Sequence, residues 1–460
     1  MDGNKKTIII AGGGLIGPVC AIMFKKRGFT VKLFEKRPDI RIVKEKENYK
    51  SINIMGTAKG INALKRLDMW EGCVKPMGHP VNTRYIHLKN LPVITDKFAG
   101  EDPNCMFQLC RNDVNKALLE RAEKEGVELV FEDEVVKVDF EKNKIFTAKS
   151  EEISYDYLIG ADGVGSEVRK EMLKVVDSSE VKNSTKWEEV SWKELFVKNP
   201  KETPLGKGQH MVPRNLNAML LFPNRLDDDF SGIMVFKNTL LEELGKDKEK
   251  IENFLKSEFA EIYNITPDLV DQFLTHPSVK LGTNDIWPWS YKNVCLVGDA
   301  AHSMTPFIGQ GMNCGLDDIY KISQILEKTN DLCETFKQYA ELQKPHGDAI
   351  SRIASENFQD FSVRVLDPKF LLKRNIERQF IQLFPNHFSG KFEMVATTLM
   401  PYKAIEDRLI IQEGILDEII KEEDALKIQF NLSFNLKHFL KYQTLVESKL
   451  EKTDFKYFDY

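Results

Sequence analysis

The chain has 460 residues, with 65 Lys and Arg against 70 Asp and Glu, a formal net charge of −5, and 42% hydrophobic residues. That length can bury a large core in two or three domains, and near-balanced charge gives no electrostatic case for nucleic acid. Seven cysteines lack C-x-x-C or ligand-like spacing, which argues against disulfides and a metal site and suits a reducing, intracellular setting; no apolar run reaches the roughly 18 residues of a membrane helix.

The first elements form one unit. Thr7 to Ala11 is a β-branched apolar run, as in strands buried on both faces. Its start at residue 7 leaves no room for a cleaved targeting segment. Gly12, Gly14 and Gly17 follow in the spacing G-x-G-x-x-G, with Leu15 at the head of an apolar-periodic helix to about Lys26. A second strand, Thr30 to Phe34, ends in Glu35, followed by Lys36 and Arg37. In this frame the glycines permit a tight turn, approach of backbone to a pyrophosphate, and close helix–strand packing. The helix N-terminus offers N–H groups to phosphate, and Glu35 stands where a carboxylate takes the ribose hydroxyls of an adenosine. The stretch reads as a dinucleotide-binding βαβ unit.

Arg37 to Tyr49 is charged and irregular, and Lys50 to Ile54 resumes an apolar pattern. Thr57 to Leu67 reads as a helix, with Ile61, Leu64 and Leu67 at helical spacing. Short strands are expected at Arg84–Leu88 and Val93–Thr95. Asp113 to Glu125 reads as a helix capped by Asn112 or Asp113 and stopped by Gly126. Strands follow at 128–131, 135–140 and 144–147, and Tyr157 to Gly160 leads into Ala161-Asp162-Gly163. Met219–Phe222 and Gly232–Phe236 alternate as sheet strands, and Lys248 to Ile262 is helical. Asn293 to Val297 is a buried strand that feeds Gly298-Asp299-Ala300-Ala301-His302, and from Gly315 the chain is mostly helical and increasingly charged. No repeat or low-complexity linker interrupts it. The expected class is α/β: a Rossmann-like domain from discontinuous segments 1–75, 100–170 and 280–330, an inserted substrate sheet of 76–99 and 171–279, and a helical C-terminal region, 331–460.

Two distant motifs refine this. Tyr157-Leu-Ile-Gly-Ala-Asp162-Gly163 and Val294-Cys-Leu-Val-Gly298-Asp299-Ala-Ala-His302 resemble the paired fingerprints of flavin-dependent aromatic hydroxylases, whose group A fold they imply. In that family the aspartate at the position of Asp299 binds the ribityl chain of FAD. Pro306-Phe-Ile-Gly309-Gln-Gly311-Met312-Asn313 then places a glycine loop before a helix, whose N–H groups suit negative charge on reduced flavin. A plain NAD dehydrogenase leaves these motifs unexplained. No second G-x-G-x-x-G follows a strand, as in these hydroxylases, which NADPH visits only transiently.

The segments Lys50-Ser-Ile-Asn53-Ile, Arg84-Tyr-Ile-His87, Arg111 with Asn115, His210-Met-Val-Pro213-Arg214 and, above all, 298–315 resemble the kynurenine 3-monooxygenase family. The resemblance runs from residue 7 to about 405 and is patchy between 170 and 290. It implies an NADPH- and O2-dependent hydroxylation of an aromatic amino acid, L-kynurenine to 3-hydroxykynurenine, through a flavin hydroperoxide. It also implies that Arg84 clamps the substrate carboxylate, that Asn357 assists it, that Phe307 lines the pocket beside the flavin, and that Arg111 contacts FAD. The family's two carboxylate-binding tyrosines fall at Phe98 and Phe392, so weaker kynurenine binding or a related substrate is expected. A hydroxylase of another aromatic acid or a phenol, or a non-hydroxylating flavin-binding paralogue, are the alternatives.

Because an aniline nitrogen already donates into its ring, no catalytic base is required, and His302 is expected packed beneath the loop. Trp287, Trp289 and Cys314 are expected as packing groups. Eukaryotic relatives anchor to the mitochondrial outer membrane by a hydrophobic C-terminal segment, which residues 406–460 lack. Leu426 to Leu450 is amphipathic and is expected to dock on its own domain, with peripheral contact to a membrane, such as the mitochondrial outer membrane, as the alternative to a cytoplasmic protein.

Overall fold

The computed structural model describes residues 5–43, 53–97, 106–201, 205–226, 228–364, 367–422 and 439–455. The expected βαβ unit is present as strand Thr7–Ala11, helix Ile16–Lys26 and strand Thr30–Glu35. Thr7–Ala11 lies inside a six-stranded sheet, in the order Ser290–Tyr291, Val294–Leu296, Tyr157–Gly160, Thr7–Ala11, Thr30–Glu35, Glu128–Phe131. All its pairings are parallel except that between the first two strands. Parallel strands end on one edge, so the turns after Ala11, Glu35, Gly160 and Leu296 converge although they are far apart in sequence. Ile8, Ile9, Ile10, Leu158, Ile159, Val294 and Leu296 are all fully buried, as a sheet covered on both faces requires.

A second, seven-stranded sheet runs Val279–Trp287, Lys182–Val197, Phe230–Lys237, Asn217–Pro223, Gln209–Arg214, Thr83–Ile86, Ile94–Lys97. Its side chains alternate. Met219, Leu221, Met234 and Phe236 face helices Lys248–Glu258 and Leu269–Thr275, whereas Leu220, Ile233 and Val235 face Phe307 and Phe358. Two expected boundaries move. The sheet extends past 279 to Trp287, and 78–80 pairs with Phe107–Cys110 in a small third sheet with Asn53–Gly56.

Two helices also differ from expectation. The helix expected from Asp113 begins at Arg111, with Cys110 at its N-cap and no side-chain cap, so Asn112 and Asp113 lie inside its first turn. The stretch 248–262 breaks at Phe259 into Lys248–Glu258 and Ala260–Tyr263, because the Phe259 ring is buried against Phe236 and Phe254. The C-terminal region contains helices Leu332–Ser362, Pro368–Leu383, Lys391–Thr397 and Tyr402–Glu422. Of the amphipathic stretch 426–450, the part to 438 lies outside the described residues. The remainder buries Phe439, Tyr442, Val446 and Leu450 against Phe380, Ile415 and Ile419. Among the described residues no helix is long and apolar enough to cross a membrane.

Candidate functional site

Where the parallel strands end, the glycine turn has no room for a side chain. Gly12 has φ +107°, and a Cβ there would fall 2.3 Å from the Ala161 carbonyl oxygen; one on Gly17 would fall 1.9 Å from that of Gly12. Gly14, by contrast, faces open space. Asn115, four residues into the helix from Arg111, donates through Nδ2 to the carbonyls of Gly13 (3.0 Å) and Gly14 (3.1 Å) and so fixes the turn. Its sequence signal was its spacing from Arg111, to which no role had been attached.

The turn opens into a cavity of about 870 Å³. Twelve residues expected at the cofactor line it: Gly12, Gly14, Leu15, Glu35, Lys36, Arg37, Arg111, Asp162, Gly163, Asp299, Gly311 and Met312. Gly17, Gly298 and Asn313 do not; they stand behind the wall. The Gly298 N–H donates to Asp318 Oδ2 at 2.9 Å. The buried Asn313 side chain accepts from the Thr57 N–H (2.9 Å) and donates to the carbonyls of Met55 (2.8 Å) and Gly309 (2.9 Å). Asn313 therefore ties the loop to the strand Asn53–Gly56 through its side chain.

Charge is distributed along the cavity. Glu35 is buried and accepts from the Gly13 N–H (2.7 Å), the Arg37 N–H (2.9 Å) and Arg37 Nε (2.7 Å). Burial pushes its carboxyl up, but the Arg37 hydrogen bonds and charge outweigh it and hold it below the usual range. Lys36 is paired with Glu134 at 3.0 Å. Arg111 and Asp299 both point into the cavity; desolvation lowers the first and raises the second, and each opposes the other's shift by Coulomb attraction. Asp162 accepts from the N–H groups of Glu167 (2.8 Å) and Val168 (3.2 Å) and thereby caps the helix Glu167–Val175. Behind Asp299, His302 Nε2 lies 2.6 Å from Asp318 Oδ2, both fully buried. Burial alone would lower the imidazole, but Asp318 holds it well above its ordinary value. His302 is thus beneath the loop, as expected.

Of the helices that reach the cavity, Ile16–Lys26 and Gly311–Thr329 have neither a side-chain N-cap nor an acid in the first turn. Their leading N–H groups and positive dipole ends are left for a ligand. Two anion-seeking helix ends, an open glycine, and a carboxylate facing a guanidinium make a donor set that fits FAD.

The other end of the cavity is apolar, walled by Ile86, Met211, Leu220, Phe222, Ile233 and Phe307. The Phe307 ring stacks on Phe358 at 3.9 Å. Arg84, on the strand Thr83–Ile86, lies with its guanidinium 4.4 Å from the Phe392 ring centroid and 3.8 Å from Asp96. Burial lowers Arg84, and Asp96 and Glu393 oppose the shift. Asn357 lines the same end, and its Nδ2 donates to the Phe307 carbonyl at 2.8 Å. Phe98 lies outside the described residues. His210 also lines the cavity. It hydrogen-bonds His87 (2.9 Å) and the Gly206 carbonyl (2.9 Å), and desolvation pushes it down to about 4. Both its nitrogens are committed, so it carries no free base; its place in the wall was not foreseen.

Comparison with known proteins agrees with this geometry. Residues 5–338 match the family model described as FAD binding domain. The chain is 33% identical over 432 residues to a kynurenine 3-monooxygenase of Legionella pneumophila (strain Corby), covering 90% of this chain and 93% of that protein. It is 31% identical over 436 residues to that of Flavobacterium psychrophilum, covering 92% and 95%. The one from Dictyostelium discoideum is 30% identical over 448 residues, covering 92% and 95%. In fold it is similar to 2-methyl-3-hydroxypyridine-5-carboxylic acid oxygenase (TM-score 0.62, 23% identity, 77% of this chain and 91% of that one). It is similarly close to PqsL from Pseudomonas aeruginosa (TM-score 0.63, 18% identity, 80% and 100%). With glycine turn, paired aspartate loops and cavity in one arrangement, the chain is a FAD-dependent flavoprotein monooxygenase and belongs to the kynurenine 3-monooxygenase family.

Proposed function

We propose that the chain hydroxylates L-kynurenine to 3-hydroxykynurenine with NADPH and O2, in an intracellular setting. The observation that carries the reading is Arg84, a guanidinium set in the apolar end of the cavity whose other end is the FAD cradle. FAD, when bound, supplies electron transfer from NADPH and activation of O2.

Each residue then has a task. The turn Gly12–Gly14 and the head of the helix at Leu15 hold the pyrophosphate, Glu35 and Arg37 the adenosine end, and Asp299 with Arg111 the middle of the cofactor. Arg84 remains protonated at any working pH and pairs with the substrate carboxylate, bidentately where geometry allows. The Phe307–Phe358 stack makes a flat, rigid wall for the substrate ring, and Asn357 holds the Phe307 backbone in place. Apolar side chains keep the reacting end dry, which protects activated oxygen from water. With both nitrogens of His210 occupied, ring activation falls to the substrate's own amino group.

A second reading, another aromatic acid as substrate, is favoured by Phe392, which offers Arg84 a ring face and no hydroxyl. Purified protein with NADPH separates the readings. Kynurenine should stimulate NADPH consumption and yield 3-hydroxykynurenine in proportion. Consumption without product would leave the second reading, and no flavin uptake would end both.

A further inference from the structure

We propose that Tyr402, at the start of the last long helix, is a positioning residue for the cofactor-facing turn Gly309–Gly311, acting through Gln310. The inference rests on FAD occupying the cavity, and not on which aromatic substrate follows.

Gly309, Gly311 and Met312 line the cavity, whereas Gln310 is fully buried and points the other way. Its Oε1 accepts from the Tyr402 hydroxyl at 2.7 Å and from Thr57 Oγ1 at 3.3 Å, and its Nε2 donates to the Ile308 carbonyl at 3.4 Å. Thr57 and Tyr402 are themselves buried. Gln310 occupies the N-cap position of Gly311–Thr329 without capping it through its side chain. That side chain is instead turned backward, and the helix end is left bare toward the cavity.

Tyr402 is held in turn. Lys59 Nζ lies 4.5 Å from its ring centroid and donates to the carbonyls of Thr398 (3.2 Å) and Met400. Lys59 stands two residues after Thr57, so one helix start grips the turn and the C-terminal segment together. Three chain segments, 55–59, 308–313 and 398–402, thus meet on one amide. A buried amide oxygen with two hydroxyl donors has a single favourable orientation, and losing a donor leaves part of its desolvation uncompensated. Tyr402 therefore shapes the flavin end of the cavity from behind without lining it.

The test is FAD titration of the apoprotein, followed by the visible spectrum and midpoint potential of the bound flavin. Tyr402→Phe keeps the ring and removes the donor; it should raise the FAD Kd about tenfold, the scale of one buried hydrogen bond, and shift the spectrum and potential. Ile419→Val, in the same helix but packed in the separate cluster around Phe380, should leave all three unchanged at comparable loss of thermal stability. A Tyr402→Phe Kd and potential equal to the unaltered protein's overturn the proposal. So does an equal effect from Ile419→Val, which would mean general loosening. Should Tyr402→Phe not fold, Thr57→Val reads the same amide: a weakening of about threefold supports the proposal, and none refutes it. An unaltered chain with no FAD affinity would overturn the cofactor assignment and this inference together.

Discussion

The guanidinium of Arg84 stacks over the ring of Phe392 at 4.4 Å. The ring braces the cation but cannot donate to a bound carboxylate. A tyrosine there would add one hydrogen bond to a charged group, worth roughly 1.5–3 kcal/mol. Phe392→Tyr is therefore expected to tighten kynurenine about tenfold or more, read as the substrate-induced change in flavin absorbance.

Removing the cation should act in the opposite sense and at one step only. Arg84→Ala is expected to abolish kynurenine-stimulated flavin reduction while FAD stays bound at its original affinity. Normal turnover by that variant would remove Arg84 from the substrate site.

Asp299 faces Arg111 across the cavity, and each moderates the desolvation of the other. Asp299→Ala removes the carboxylate proposed to hold the cofactor and the larger of the two carboxylate attractions on Arg111, the other being that of Glu194. Its FAD affinity should fall at least tenfold with little change in the melting temperature of the apoprotein. An unchanged Kd would contradict the assignment of Asp299.

His210 gives the chain an acid-sensitive point. Its folded value, about 4, lies below the ordinary 6.5, because burial disfavours the imidazolium. Between these values the unfolded chain binds the proton and the folded chain does not. The contribution is therefore fully present above pH 6.5 and is lost as pH falls toward 4, by about 3 kcal/mol in total. Urea unfolding from pH 7 to 4.5 should show a steeper loss for the native protein than for His210→Gln; parallel curves would contradict it.

Lys59 acts at the alkaline end. Burial lowers it from 10.5 to about 8, so from pH 8 to 10.5 the unfolded chain again holds the extra proton. Over that window the native protein should gain stability relative to Lys59→Met, by about 3 kcal/mol. An equal stability difference between the two proteins at pH 8 and pH 10.5, read from denaturant midpoints, would refute a buried, deprotonating lysine.

The nucleotide cradle was legible because its elements are written locally. A β-branched run, glycines at fixed spacing and a terminal acid fix strand, turn and strand without reference to distant residues, and Thr7–Ala11 and Ile16–Lys26 fall where expected. Asp299 could be singled out because its Gly298-Asp299 loop, just beyond a buried apolar strand, resembles a fingerprint of the flavin hydroxylases. Asn313 shows where the reading stops: the motif marks it as important, but only the folded chain shows its side chain bound to Thr57, Met55 and Gly309 behind the wall. The contacts of His210 and Tyr402 were hidden for a related reason. Their partners lie 123 and 92 residues away, and no local pattern encodes such a pairing. The break at Phe259 was missed because helical periodicity continues through it, while a tertiary contact claims the ring.

The strand order of the nucleotide sheet has a consequence for synthesis. Val294–Leu296, with Ser290–Tyr291 on its outer side, joins the rest of the sheet through Tyr157–Gly160, which in turn abuts Thr7–Ala11. A nascent chain thus carries its complete glycine fingerprint from the first few dozen residues, yet cannot close a flavin cradle until the segment beyond residue 299 has emerged. Until then the edge of Tyr157–Gly160 is bare, and such long-range pairing is slow and exposed to misassembly. Fragments ending before residue 294 should retain no flavin. The fingerprint is therefore not a portable module, and grafting it elsewhere would transplant a motif without its pocket.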